Sequence, residues 1–206
     1  MTINHEKKLI FIHVPKNAGT SIIKSMGCMN NFYVDKPVSE YKKKYKKYWN
    51  TYKKFAVIRD PIDRFISTYK FARMKESGWF SVTGENNLCK HHHYDICNSM
   101  DINEYVDYIY NNPHELDIWL IPQSWIICND NNEIEIDYIV RYENLLEDLQ
   151  KVGIYNIEKL NTSDIENKNL IKLTKKSKTL LHEIYKIDYK NFHFRCPVSS
   201  LTYQYK

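Results

Sequence analysis

Two short segments of this chain each run from an apolar strand into a helix with anion-binding chemistry at the turn, and that repetition constrains the fold more than any other feature. The first is Leu9-Ile-Phe-Ile-His13-Val-Pro-Lys16-Asn17-Ala18-Gly19-Thr20-Ser21-Ile22. Leu9 to Val14 is an apolar run rich in β-branched residues, as expected of a central parallel strand, and Pro15 breaks it. Gly19 and the helix-like Ser21-Ile22-Ile23-Lys24-Ser25-Met26 follow. Gly19 allows close backbone approach to an anion, Thr20 and Ser21 add hydroxyl donors, and Lys16 adds a mobile point charge. The full nucleoside-triphosphate loop needs a first glycine and places its lysine after the second. Here Lys16 precedes Gly19, which disfavours an ordinary ATPase or GTPase. Alone, the segment also fits a plain strand-to-helix turn with a surface lysine.

The second segment is Phe55-Ala-Val-Ile-Arg59-Asp60-Pro61-Ile62-Asp63-Arg64-Phe65-Ile66-Ser67-Thr-Tyr69. Asp60, Pro61 and Asp63 suit an N-cap, a first-turn proline and an acidic residue at N3. Ile62, Phe65, Ile66 and Tyr69 then form an apolar helix face, which leaves Arg64 and Ser67 together on a polar one. Two guanidiniums and a hydroxyl near one strand end suit a dianionic phosphate. The competing expectation is that Arg59 and Arg64 pair with Asp60 and Asp63.

Taken together, these segments resemble the sulfotransferases that use 3′-phosphoadenosine 5′-phosphosulfate (PAPS), in particular the carbohydrate sulfotransferase branch. His13-Val-Pro-Lys16-Asn-Ala-Gly19-Thr-Ser21 is similar to the family's 5′-phosphosulfate loop, and Arg59 through Ser67 to its 3′-phosphate motif. Pro122-Gln123-Ser-Trp125 resembles a proline-glutamine element, and Asp137 through Asp148 the strand and helix start before the adenine site. Ile184 through Phe192 is similar to the closing helix. The resemblance implies an α/β fold: a central, mostly parallel sheet flanked by helices, with a P-loop-like loop for the 5′-phosphosulfate. It implies PAPS as sulfuryl donor, 3′-phosphoadenosine 5′-phosphate (PAP) as product, and no metal. Lys16 would stabilise charge on the bridging oxygen, while Asn17, Ala18, Gly19, Thr20 and Ser21 hold the 5′-phosphate. Arg59 and Ser67, helped by Arg64, would hold the 3′-phosphate, and Tyr142 with Arg141 would flank the adenine.

Length and composition suit one domain spanning residues 1–206, with 43% hydrophobic residues. No apolar run approaches the ~20 residues of a membrane span, and the N-terminus lacks a signal-peptide core. The chain is therefore expected to be soluble, and cytoplasmic unless it is the trimmed catalytic domain of a Golgi-anchored protein. The five cysteines lack C-x-x-C spacing and are expected to be free thiols. Cys89, His91, His92, His93 and Cys97 have a conceivable zinc spacing, but a histidine run in a polar loop is usually solvated. The net charge of +5 is concentrated between Tyr41 and Lys54. There the spacing of Tyr41, Tyr45, Tyr48 and Tyr52 predicts one helix with an aromatic and a lysine face. That face suits an anionic glycan as acceptor as well as it suits simple solvation, and nothing resembles a nucleic-acid motif.

Elsewhere, Asp101 and Glu104 predict a capping box and a helix ending near Pro113. Trp125–Cys128, Asn129–Asn132 and Ile134–Tyr142 read as strand, turn and strand. A helix carrying Leu145, Leu146, Leu149 and Val152 is expected next, then an irregular stretch from Tyr155 to Asn169 and a final helix through Leu180, Leu181, Ile184 and Ile187. Met74 to Ser99 reads as a substrate loop.

No histidine lies between His13 and Arg59, where many relatives carry a His or Glu as general base; the carboxylates there are Asp35 and Glu40, and Glu40 is the candidate, in need of burial or neighbours to serve. It equally suits a helix start. His91, His92, His93 or His114 could swing in instead. A non-catalytic module binding the bisphosphate or a glycan is the main alternative function. A nucleotide or small-molecule kinase is the lesser one, since it would need a Mg²⁺ site that the sequence does not offer.

Overall fold

The apolar run from Leu9 to Ile12 is buried at every position, and Phe55 to Ile58 likewise. That is the expected result for strands covered on both faces. The computed structural model describes residues 2–28, 35–75, 91–157 and 171–197. In chain order the elements begin β1 (Ile3–Asn4), β2 (Leu9–Ile12), α1 (Gly19–Ser25), α2 (Val38–Lys44), β3 (Lys53–Ile58) and α3 (Pro61–Ala72). They continue as α4 (Tyr94–Ser99), α5 (Ile102–Asn111), α6 (Ser124–Ile127), β4 (Tyr138–Arg141), α7 (Leu145–Lys151), α8 (Lys175–Ile184) and α9 (Lys186–Phe192). Short 3₁₀ turns occupy Pro113–Glu115 and Tyr142–Asn144. The chain divides into two compact units, Met1–Asp60 with Gln123–Thr162 and Pro61–Pro122 with Ser163–Lys206.

The first unit holds a small mixed sheet of order β1-β2-β3-β4. β2, β3 and β4 run parallel, with Phe11 beside Phe55 and Val57 beside Val140. β1 is an antiparallel edge. Ile22 and Ile23 of α1, Met26 just after it and Leu149 of α7 pack with Leu9, Phe11, Phe55, Val57 and Val140 in one core. The parallel strands end in a common direction, so the turns after β2, β3 and β4 emerge at one sheet edge. In open α/β sheets that edge is where ligands bind.

The second unit is helical, with Phe65, Tyr69, Tyr105, Val106, Leu181 and Tyr185 in its core. The capping box of α5 is present: Asp101 accepts from Asn103 N at 2.7 Å and Glu104 N at 3.1 Å, and Glu104 accepts from Asp101 N at 2.8 Å. That helix ends at Asn111, before Pro113, as expected of a proline two residues on.

Several elements differ from expectation. The helix through the tyrosines stops at Lys44. A continuous one would stack Lys42 on Lys46 and Lys43 on Lys47, and like charges at i, i+4 oppose it. Turns follow instead, in which Tyr45 and Trp49 are buried. Trp125–Cys128 is not a strand. Ile126 N and Ile127 N donate to Gln123 O at 3.0 and 3.1 Å, so the run coils into α6. A single bridge, Cys128 to Ile134, is what the expected strand pair retains. The closing helix is two, α8 and α9, separated at Tyr185. Within the expected substrate loop, Tyr94–Ser99 is helical, and residues 76–90 lie outside the described ones. Of the stretch from Tyr155 to Asn169, residues 155–157 are irregular and the rest lies outside. Among the described residues, no helix is long and apolar enough to cross a membrane.

Candidate active site

The turn after β2 is held in an uncommon backbone shape, with Lys16 at φ 70° and Ala18 at φ 62°. For non-glycine residues such geometry costs about 1–3 kcal/mol each, and it persists where surrounding contacts impose it. Two side chains impose it here. Asn17, fully buried, donates from Nδ2 to Val57 O and to Gln123 Oε1, both at 2.7 Å. Gln123 in turn accepts from Arg59 N at 3.0 Å and donates to Arg59 O at 2.8 Å. One amide thus ties the loop after β2 to the end of β3. The proline-glutamine element seen in the sequence supplies this clamp.

Arg59 leaves β3 beside that loop. Its Nη1 donates to Lys16 O at 3.3 Å, and its guanidinium lies 4.3 Å from the ring centre of Tyr142, which follows β4. Its Nε is buried and has no hydrogen-bond partner among the described residues, and no described carboxylate pairs with it, so the expected pairing with Asp60 is not formed. Asp60 N donates instead to Glu143 Oε1 at 2.9 Å. Lys16 is half-buried, and desolvation followed by the Arg59 charge lowers its pKa to about 7. Two cations lie together, one with a buried donor unsatisfied, an arrangement to which an anion's charge and acceptors are complementary. Thr20 and Ser21, at the start of α1, and Arg141, at the end of β4, lie on the same sheet edge.

His13 is the residue that sequence reasoning passed over. Its Nδ1 lies 2.5 Å from Asp35 Oδ1, both side chains are nearly buried, and its backbone N donates to Tyr41 Oη at 3.2 Å. The ring packs against the loop: a Cβ built on Gly19 would sit 1.9 Å from His13 Nε2. Gly19 is not at positive φ, so its requirement is space for this imidazole rather than backbone freedom. Gly19→Ala is therefore expected to lower Tm by roughly 5 °C through overpacking. In a His13→Ala background the same substitution should cost little. Equal losses in both backgrounds, by thermal denaturation, would show that the ring is not the cause.

Glu40 receives neither support that a base requires. It is exposed, it pairs with Lys43 at 2.8 Å, and that hydrogen bond holds its carboxyl below the usual range. Its place in the first turn of α2 is the helix-start role.

In the second unit, Arg64 is not on a polar face. It is buried at 1% exposure, and donates to Ile121 O at 2.8 Å and Ile118 O at 3.5 Å. Ser67 on the same helix is half-buried. Cys97 is buried, which pushes its thiol up to about 12. Among the described residues Cys28, Cys97, Cys128 and Cys196 are free thiols, while Cys89 lies outside them.

The sequence profile of the sulfotransferase family matches residues 1–195. The chain belongs to that family, whose members transfer sulfuryl groups. Comparison with curated proteins and with solved structures yields no significant match.

Proposed function

We propose that this protein is a PAPS-dependent sulfotransferase acting on a hydroxyl of a carbohydrate acceptor, and that both units together form a single sulfotransferase domain. The observation that carries this reading is the pairing of Lys16 and Arg59 across two parallel-strand ends. The loop from Lys16 to Ser21, read as P-loop-like, takes the 5′-phosphosulfate. Arg59 takes the 3′-phosphate through its unsatisfied edge, and Ser67 keeps the role that the family resemblance gives it. Arg64 serves by fixing the carbonyls of Ile118 and Ile121, a positioning role. Tyr142, stacked on Arg59, and Arg141 border the adenine.

When the acceptor oxygen attacks sulfur and gives up its proton to solvent, the bond from sulfur to the bridging oxygen breaks and its electron pair leaves on the bisphosphate. Lys16, protonated under the charge of the bound nucleotide, neutralises that oxygen as charge develops. His13, fixed by Asp35, holds the loop in shape. The exposed, ion-paired Glu40 favours one alternative, a module that binds the bisphosphate without turning it over. Calorimetric titration with PAP, ADP and AMP tests the nucleotide assignment. PAP is expected to bind most tightly, and preference for ADP with Mg²⁺ would overturn it.

The lowered pKa of Lys16 adds a pH signature. Above pH 7 the free protein holds Lys16 increasingly neutral, whereas a bound polyanion favours the ammonium, so binding takes up a proton. Affinity for PAP is present in full below pH 7 and is lost as pH rises above it. Between pH 7 and 8.5, where phosphate with its second pKa near 6 is already dianionic, the loss should be about tenfold. Lys16→Met should flatten this profile.

A further inference from the structure

The helical unit carries a group of side chains to which the proposed transfer step gives no role. His91, His92 and His93 each offer a ring nitrogen, and these atoms lie within 4.8 Å of one another. The rings are bunched, His92 and His93 having centroids 4.1 Å apart and His91 and His92 4.4 Å. Two carboxylates meet them: Asp117 Oδ2 lies 3.4 Å from His92 Nε2, and Glu115 Oε2 lies 3.1 Å from His93 Nε2.

We propose that His92, His93, Asp117 and Glu115 form a binding site for one divalent transition-metal ion of the zinc type, with His91 as a positioning residue. Four ligands at the ~2.0–2.1 Å bond lengths of zinc stand about 3.3–3.4 Å apart along a tetrahedral edge. The His92–Asp117 separation has that value, and it is longer than a well-made N–H···O hydrogen bond. Each carboxylate is already aimed. Asp117 Oδ1 accepts from Trp119 N at 2.9 Å and Leu120 N at 3.2 Å, which turns Oδ2 to the imidazoles. Glu115 Oε1 accepts from Tyr108 Oη at 3.2 Å, which leaves Oε2 for His93. The segment bearing Asp117 is itself anchored, since Arg64 and Thr68 bind the carbonyls of Ile118, Trp119 and Ile121.

An outer-shell partner fixes the His93 imidazole as a metal requires. His93 Nδ1 is 2.6 Å from Tyr105 Oη. With its proton there, Nε2 presents a lone pair. His91 Nδ1 accepts from His93 N at 3.1 Å, so its proton sits on Nε2, which faces Asp117 Oδ2 at 3.6 Å. His91 therefore positions His93 through that backbone hydrogen bond rather than ligating. Two imidazoles and two carboxylates are a borderline donor set, matched to zinc rather than to magnesium or calcium. This set differs from a cysteine-based zinc site: Cys97, buried and hydrogen-bonded to Tyr105, belongs to the outer shell.

The inference is independent of the nucleotide reading. The chain, stripped with chelator and dialysed, is titrated with zinc alone against a chromophoric competitor, and separately with cobalt to read its ligand-field absorption. One zinc per chain and a tetrahedral cobalt spectrum are expected. His92→Ala, at an exposed ligand that leaves the core intact, and Asp117→Asn should each weaken zinc more than about tenfold. His114→Ala, at the exposed neighbouring histidine, should leave it unchanged, and all three should keep PAP affinity. No stoichiometric zinc, or binding that survives both ligand substitutions, would overturn the site.

Discussion

Replacing Arg59 by methionine is expected to weaken binding of PAP by about ten- to more than a hundred-fold, with little change for adenosine 5′-phosphosulfate, which lacks the 3′-phosphate. Loss of a charge-assisted contact costs roughly 1.5–3 kcal/mol, which sets that range. The selectivity matters more than the size of the effect. Arg59 also contacts Lys16 O and Tyr142, so a mutant whose loop had simply collapsed would lose both ligands. Parallel titrations with the two nucleotides separate the cases, and equal losses would remove Arg59 from the 3′-phosphate site.

The second large effect concerns turnover. Lys16→Ala should reduce the transfer rate by ~10²–10³ at saturating PAPS, the scale of removing a preorganised charge stabiliser. Its effect on PAP affinity near pH 8 should be far smaller, because the lysine of the free protein is already mostly neutral there. Lys16→Arg should rescue only in part, since a planar fork does not replace a compact ammonium in a tight loop. Near-normal turnover by Lys16→Ala would make Lys16 an ordinary loop residue and favour the binding-module alternative.

The elements legible from the sequence were those with local signals. β2 and β3 announced themselves as apolar runs, and α5 carried its own capping box. The run Ser124–Ile127 misled because a short apolar stretch suits strand and buried helix equally, and only the Gln123 carbonyl decides between them. In α3 the buried positions are Pro61, Arg64, Phe65, Thr68, Tyr69 and Ala72. Their spacing is as helical as the apolar stripe read from the sequence, but rotated by one residue. Arg64 and Thr68 concealed this, since the carbonyls that satisfy them lie 51 to 57 residues away.

The site shows the same division. Lys16, Gly19 and Arg59 stood out as candidates by residue type and spacing, and Gln123 by the family resemblance. The connection of Gln123 to Asn17, across 106 residues, was not. Gly19 meets a further requirement that the sequence did not show. Its role as space for His13 depends on Asp35, 22 residues beyond that histidine, which fixes the ring. A search for histidines between the two motifs passed over the one that opens the first.

Transfer of a sulfuryl group from PAPS to an acceptor hydroxyl is read out by a donor-resolved turnover assay. The purified protein is incubated with a panel of neutral, uronate-bearing and partly sulfated glycans, with PAPS or with ATP as donor, and nucleotide products and glycans are followed by mass spectrometry. At least one glycan is expected to gain a sulfuryl group, with PAP accumulating in equal amount and ATP not consumed. Binding of PAP without any turnover across the panel, or metal-dependent transfer from ATP, would contradict it.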